Sequence, residues 1–138
     1  MENKMISVET TVNAPVEKVW KHWNTPESIM KWYFASDDWH APRAVNDLKV
    51  GGKFMTRMES KDGSMGFDFE GTYTKVDEYK LIEYVLADAR KIIVTFTVKG
   101  KGTIVTERFD PENENPIEMQ KGGWQAILNN FKKFTEGD

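Results

Sequence analysis

Between residues 53 and 109 the chain is a succession of short stretches rich in β-branched and aromatic residues, each ended by a turn. Lys53–Ser60, 67–76, Leu81–Leu86, 92–99 and 103–109 read as strands from their two-residue alternation. The breaks between them are brief: Asp62-Gly63, the residues around Glu78 and Ala89, and Gly100-Lys101-Gly102. Parallel neighbours need a crossover of a dozen residues or more, so these connections allow antiparallel hairpins alone. Asp62-Gly63 is the strongest of the signals, because a tight hairpin turn needs positive φ at both central positions. An antiparallel meander is therefore the frame, and the rest of the chain must cover one of its faces.

Helices flank the meander. After a first strand over Ile6–Val12, Pro15 stands where a first helical turn begins, followed by Val16, Val19, Trp20 and Trp23 at helical spacing. Thr25-Pro26-Glu27 restarts a second short helix, which Ile29, Trp32 and Tyr33 continue. Residues 35–42 read as a loop, with a short strand near 44–47 and a turn at Val50-Gly51-Gly52. A long helix closes the chain over 116–135. Asn115-Pro116-Ile117-Glu118 resembles a capping box at its start, and its stripe is Trp124, Ile127, Leu128 and Phe131. The order is β, α, α, a six-strand meander and α: one α+β domain over residues 1–138.

Charge and composition exclude several functions. Nineteen basic and 22 acidic residues leave a net charge of −3, with no clustered basic face, so nucleic acid is not an expected partner. No apolar run is long enough to span a membrane. The opening Met1-Glu2-Asn3-Lys4-Met5-Ile6 has no apolar segment of the secretory type, which fits a cytoplasmic location. Without cysteine there is no disulfide, zinc-thiolate site or cysteine nucleophile. Eight Phe, five Trp and four Tyr suit both a dense core and the wall of an apolar cavity.

Polar candidates are few. Of the two histidines, His22 falls on the polar flank of its helix, where solvation or edge packing is expected. His40 follows Asp37 and Asp38 in the 35–42 segment. One histidine beside two acids is a poor ligand set, so no metal and no cofactor is expected. No Gly-x-Ser-x-Gly elbow is present and no catalytic residue is assigned. Asp68, Glu70 and Glu107 sit on predicted strands, where each is either solvated or set in a cavity wall to orient a ligand hydroxyl; Arg57 carries the same two readings. Gly122-Gly123 inside the last helix costs about 1 kcal/mol per glycine relative to alanine. Close packing against the sheet or a widened entrance beside the helix would account for the pair.

Thr25-Pro26-Glu27 with Trp32, Val50-Gly51-Gly52-Lys53-Phe54, Asp62-Gly63, Phe69-Glu70-Gly71-Thr72-Tyr73 and Gly123-Trp124-Gln125-Ala126-Ile127-Leu128 follow one another in an order that resembles the AHSA family. Those proteins are similar to the C-terminal domain of the activator of heat-shock protein 90 ATPase, within the START-like, or birch-pollen-allergen-like, superfamily. The resemblance covers nearly the whole chain. It implies a helix-grip fold: a curved antiparallel sheet wrapped around a long C-terminal helix, with two short helices after the first strand. It also implies a largely apolar cavity between sheet and helix, which relatives use for lipids, sterols, polyketides or phenolics. The expected function is therefore binding of a hydrophobic or amphipathic small molecule, with no reaction assigned. A polyketide cyclase or dehydratase, and a co-chaperone-type interaction module in contact with the chaperone, are the rival classes. The co-chaperone's separate N-terminal domain has no counterpart in these 138 residues. The expected wall is Trp32, Phe34, Trp39, Met55, Phe69, Tyr73, Tyr84, Phe96, Trp124, Ile127, Leu128 and Phe131, with His40, Arg57, Glu70 and Glu107 as polar orienters.

Overall fold

The computed structural model describes residues 5–138; the first four, read above for their lack of a leader segment, lie outside the described residues. Strand β1 (Ile6–Val12) leads into helices α1 (Val16–Asn24) and α2 (Pro26–Trp32). Strands β2 (Trp39–Asn46), β3 (Lys53–Ser60), β4 (Gly66–Asp77), β5 (Leu81–Leu86), β6 (Lys91–Lys99) and β7 (Gly102–Phe109) then form the meander, and α3 (Ile117–Gly137) ends the chain. All seven strands join one curled antiparallel sheet in the order β1-β7-β6-β5-β4-β3-β2. The turns fall where the sequence marks them, but the β3–β4 connection is not the tight two-residue type: it runs over 61–65, and of Asp62 and Gly63 only Gly63, at φ 78, has positive φ.

One expected loop is partly a strand. The sheet edge begins at Trp39, which pairs with Ser60 of β3, while His40 pairs with Glu59. A register shift between His40 and Arg43 erases the alternation that would reveal this strand, and Pro42 is tolerated because β2 is an edge. The capping box at the last helix is not formed either. Pro116 is the N-cap residue, and Asn115 instead donates its backbone N–H and side-chain amide to the Glu112 carboxylate at 2.7 and 2.8 Å.

The concave face carries the core. Val8, Val12, Ile82, Tyr84, Ile92, Val94, Phe96, Val105 and Phe109 point inward at every second position along their strands. Helix α3 lies along β1, where Gln125 Nε2 donates to the Glu9 carbonyl at 3.1 Å and Lys132 Nζ to that of Thr11 at 2.7 Å. Leu128 and Phe131 are its fully buried residues in that core. Phe131 meets Trp23 and Trp32 with ring centroids 4.9 and 4.8 Å apart, a plug of three rings that ties α1 and α2 to α3. His22 is buried beneath this end, contrary to its expected place on a polar flank. Its ring nitrogens lie 2.9 Å from Ser28 Oγ and 2.9 Å from Asp138 Oδ2, so α1 is tied to α2 and to the end of α3. Among the described residues no helix is long and apolar enough to cross a membrane.

Candidate functional site

Because α3 hugs β1 and α2 packs over β2, the sheet between them curls away from the first turns of α3. The gap is a cavity of about 310 Å³. Met58 of β3, Phe67 and Phe69 of β4 and Glu107 of β7 form its sheet side. Met119, Gln120, Gly123, Trp124 and Ile127 of α3 form its helix side, and Tyr33 and Ala35, just after α2, complete the lining. Arg90 from the β5–β6 turn and Glu112 and Asn115 from the segment before α3 stand at the remaining boundary.

Aromatic packing fixes the walls. Trp124 stacks on Phe109 at 4.0 Å with the planes 12° apart, which holds its indole against the sheet. Phe69 meets the edge of Trp124 at 6.1 Å and stacks with Tyr33 at 5.8 Å. A Cβ built on Gly123 meets no atom within 4 Å, and the same holds at Gly122. Close packing therefore does not explain the glycine pair; at Gly123 the missing side chain leaves room in the cavity. Gln120, buried on the same helix, braces the boundary loop: its amide nitrogen donates to the carbonyls of Glu112 and Asn115, and its amide oxygen accepts from the Glu112 N–H.

Glu107 is the polar centre. It is 3 % exposed, and its neighbours across the sheet are Val8 and Val94. Among the described residues no cation or hydrogen-bond donor pairs with its carboxyl, and burial alone pushes its pKa up to about 8. The hydroxyls of Tyr33 and Tyr84 are neighbours of one another and lie within electrostatic reach of Glu107. Burial, first of all, raises the pKa of both tyrosines, so they stay neutral donors and acceptors. Beside them a hollow of about 40 Å³ is lined in part by Trp32, Tyr73 and Tyr84, and there Tyr73 donates to Asn46 Oδ1 at 2.5 Å.

Of the residues expected at the site, the structure brings Phe69, Glu107, Trp124 and Ile127 to the cavity, with Tyr84, Tyr73 and Trp32 around the adjoining hollow. Leu128, Phe131 and Phe96 are buried core: Phe131 fills the three-ring plug and Phe96 packs on Trp20 and Trp23. Met55, Arg57 and Glu70 lie on the opposite face of the sheet. In β3 the inward positions are Phe54, Thr56, Met58 and Ser60, because strand alternation separates two faces without marking which is inside. Arg57 there pairs with Glu59 at 2.9 Å and Asp68 at 3.2 Å. Glu70 borders a groove on that face with Lys53 and Thr72. Trp39 packs on Phe67 from the edge strand, His40 lies 3.8 Å from Glu59, and Phe34 faces a surface groove with Asn130 and Phe134. Tyr33, Met58, Met119 and Gln120 are wall residues that the pattern did not single out; Tyr33 follows α2 by one residue, which reads as helix continuation.

The family of proteins described as activator of Hsp90 ATPase homolog 1-like matches residues 13–136. The chain belongs to that family. Among solved structures, this AHSA1-like chain is similar to the AHSA1-like protein from Aeromonas hydrophila: 43% identity, 96% of this chain and 92% of that one, TM-score 0.91. A protein from Cytophaga hutchinsonii is 57% identical over 99% of this chain and 94% of its own, with a TM-score of 0.84. A protein from Nitrosomonas europaea, 19% identical over 97% and 95%, shares the fold at a TM-score of 0.83. Among curated proteins none matches the chain.

Proposed function

We propose that this AHSA1-like domain binds a hydrophobic or amphipathic small molecule between α3 and the concave face of the sheet. The observation that carries the reading is the 310 Å³ cavity, walled by Phe69, Trp124 and Ile127 and kept open where Gly123 lacks a side chain. The pocket is open to solvent beside the exposed Phe67 and Met119, and it shields the part of a ligand that it covers at roughly 25 cal/mol per Å² of apolar area. The AHSA1-like fold is compatible with such a module.

A ligand that binds the native state alone stabilises it by RT ln(1 + [L]/Kd), about 2.7 kcal/mol at a hundredfold excess over Kd. A lipid and phenolic library screened by thermal shift is expected to yield compounds that raise Tm. Gly123→Leu, which places a side chain in the cavity, is expected to abolish those shifts, while Gly122→Ala, on the exposed side of the helix, keeps them. Shifts that persist in Gly123→Leu would move binding elsewhere, and a library without a single shift would remove the reading. Capture of the chaperone by the intact domain, with no small-molecule effect, would favour the interaction module.

A further inference from the structure

We infer that the ligand carries one protonated amine on an apolar or aromatic body, with Glu107 as its counter-ion at the inner wall of the cavity. The inference rests on reading the cavity as a ligand site and names the chemistry of its occupant.

Glu107 is the argument. A carboxyl in apolar surroundings is costly to ionise unless a cation and hydrogen bonds compensate it, and buried charges in folded proteins are paired as a rule. Here the described residues supply neither, although the side chain is 3 % exposed and borders the cavity. The strands on either side offer Val8 and Val94, and the cavity wall of α3 offers Met119, Gln120, Gly123, Trp124 and Ile127, none of them ionisable. The ionisable groups that share its surroundings are Tyr33 and Tyr84, both held neutral by burial, with Arg90 and Glu112 farther out on the boundary. Arg90 is engaged by Asp88, its Nε 2.8 Å from Oδ2. A cation that pairs with Glu107 would therefore come with the ligand and displace the carboxyl proton.

Three features favour an ammonium over other groups. The aromatic residues Tyr33, Phe69 and Trp124 line the cavity, and aromatic rings attract cations. The hydroxyl of Tyr33, a cavity-wall residue near Glu107, is a neutral acceptor for an ammonium proton that Glu107 does not take. A ligand carboxylate or phosphate would find no free cation at the wall, because Arg90 is engaged by Asp88.

The sign of the pH dependence separates this reading from its rival. The Glu107 pKa of about 8 leaves the carboxyl mostly protonated at neutral pH, so binding an ammonium expels that proton to solvent. Affinity for an amine then rises about tenfold per pH unit below about pH 8 and levels off above it, as long as the amine stays protonated. A ligand whose oxygen accepts a hydrogen bond from the neutral acid shows the opposite slope.

Titration calorimetry with phenylbutylamine and its uncharged counterpart phenylbutanol tests the inference. Near pH 8 the wild-type domain is expected to bind the amine at least tenfold more tightly than the alcohol. Near pH 7 the amine should release close to one proton on binding, seen as a heat that depends on the buffer's ionisation enthalpy. Glu107→Gln keeps the shape but not the charge, and should bring the amine-to-alcohol affinity ratio down to about one. An amine that binds no better than the alcohol, or a preference that survives in Glu107→Gln, overturns the inference but leaves the apolar cavity standing. Absence of binding by both compounds contradicts the cavity reading as well. The wild-type pH profile decides the matter independently if the variant does not fold.

Discussion

Glu107 is a single residue whose burial sets a pH dependence of stability. Its carboxyl is protonated in the native state up to about pH 8 and ionises near the ordinary carboxyl range once unfolded. Between those limits the native state holds the extra proton, so this residue's contribution to stability falls as pH rises from about 4.5 to about 8 and is flat beyond. Glu107→Gln is expected to remove that slope. At pH 8 and above it should be more stable than wild type, on the order of 3–5 kcal/mol from about 1.36 kcal/mol per pKa unit, with the two converging below about pH 4.5. Parallel stability curves for the two proteins in urea across that range would refute the burial argument. In the sequence Glu107 stands beside Glu70 as a strand acid with the same claim to the site, because alternation assigns each a face without saying which face is dry. The mark of its position is its company in three dimensions, Val8 and Val94 across two strand pairs, which no local window contains.

At the scale of an element, α3 divides its labour along its length. Its first half lines the cavity with Met119, Gly123, Trp124 and Ile127, and its second half anchors the fold through Leu128 and Phe131. The stripe Trp124, Ile127, Leu128 and Phe131 is legible as an apolar face at helical spacing, but spacing does not tell a residue against a void from one against packed atoms. Phe131 is fully buried between Trp23 and Trp32, whereas Trp124 is half-buried, with Phe109 on one face and the cavity beside it. Phe131→Ala is therefore expected to cost about 3–5 kcal/mol, the range for truncating a buried aromatic, and Trp124→Ala less. Chemical denaturation measures both. A larger loss at Trp124 than at Phe131 would mean that the cavity is filled and the anchor misplaced. Among the strands, β1, β3 and β5 span the residues that their pattern and flanking turns mark. β2 was half lost because a register shift hides its period.

At the scale of the whole molecule, the hairpin connections dictate an antiparallel sheet, the sheet curls around one long helix, and seven strands are too wide for that helix to cover. Helix α3 takes the β1 side, α2 takes the β2 side, and the cavity is what remains between them. Connectivity was legible because it depends on local turns and loop lengths. The void was not, because it depends on how far two packed layers stand apart, a distance set jointly by Trp124, Phe69, Tyr33 and a glycine. The central claim is that a ligand enters this space. The most direct measurement is a nuclear Overhauser experiment on the isotope-labelled domain with bound phenylbutylamine. The account predicts contacts from the aromatic end of the probe to the Trp124 indole and Ile127 methyls, with none to Phe34 or to the outer-face Met55. Contacts confined to those outer residues, or a probe that leaves the Trp124 and Ile127 resonances unmoved at saturation, would contradict it.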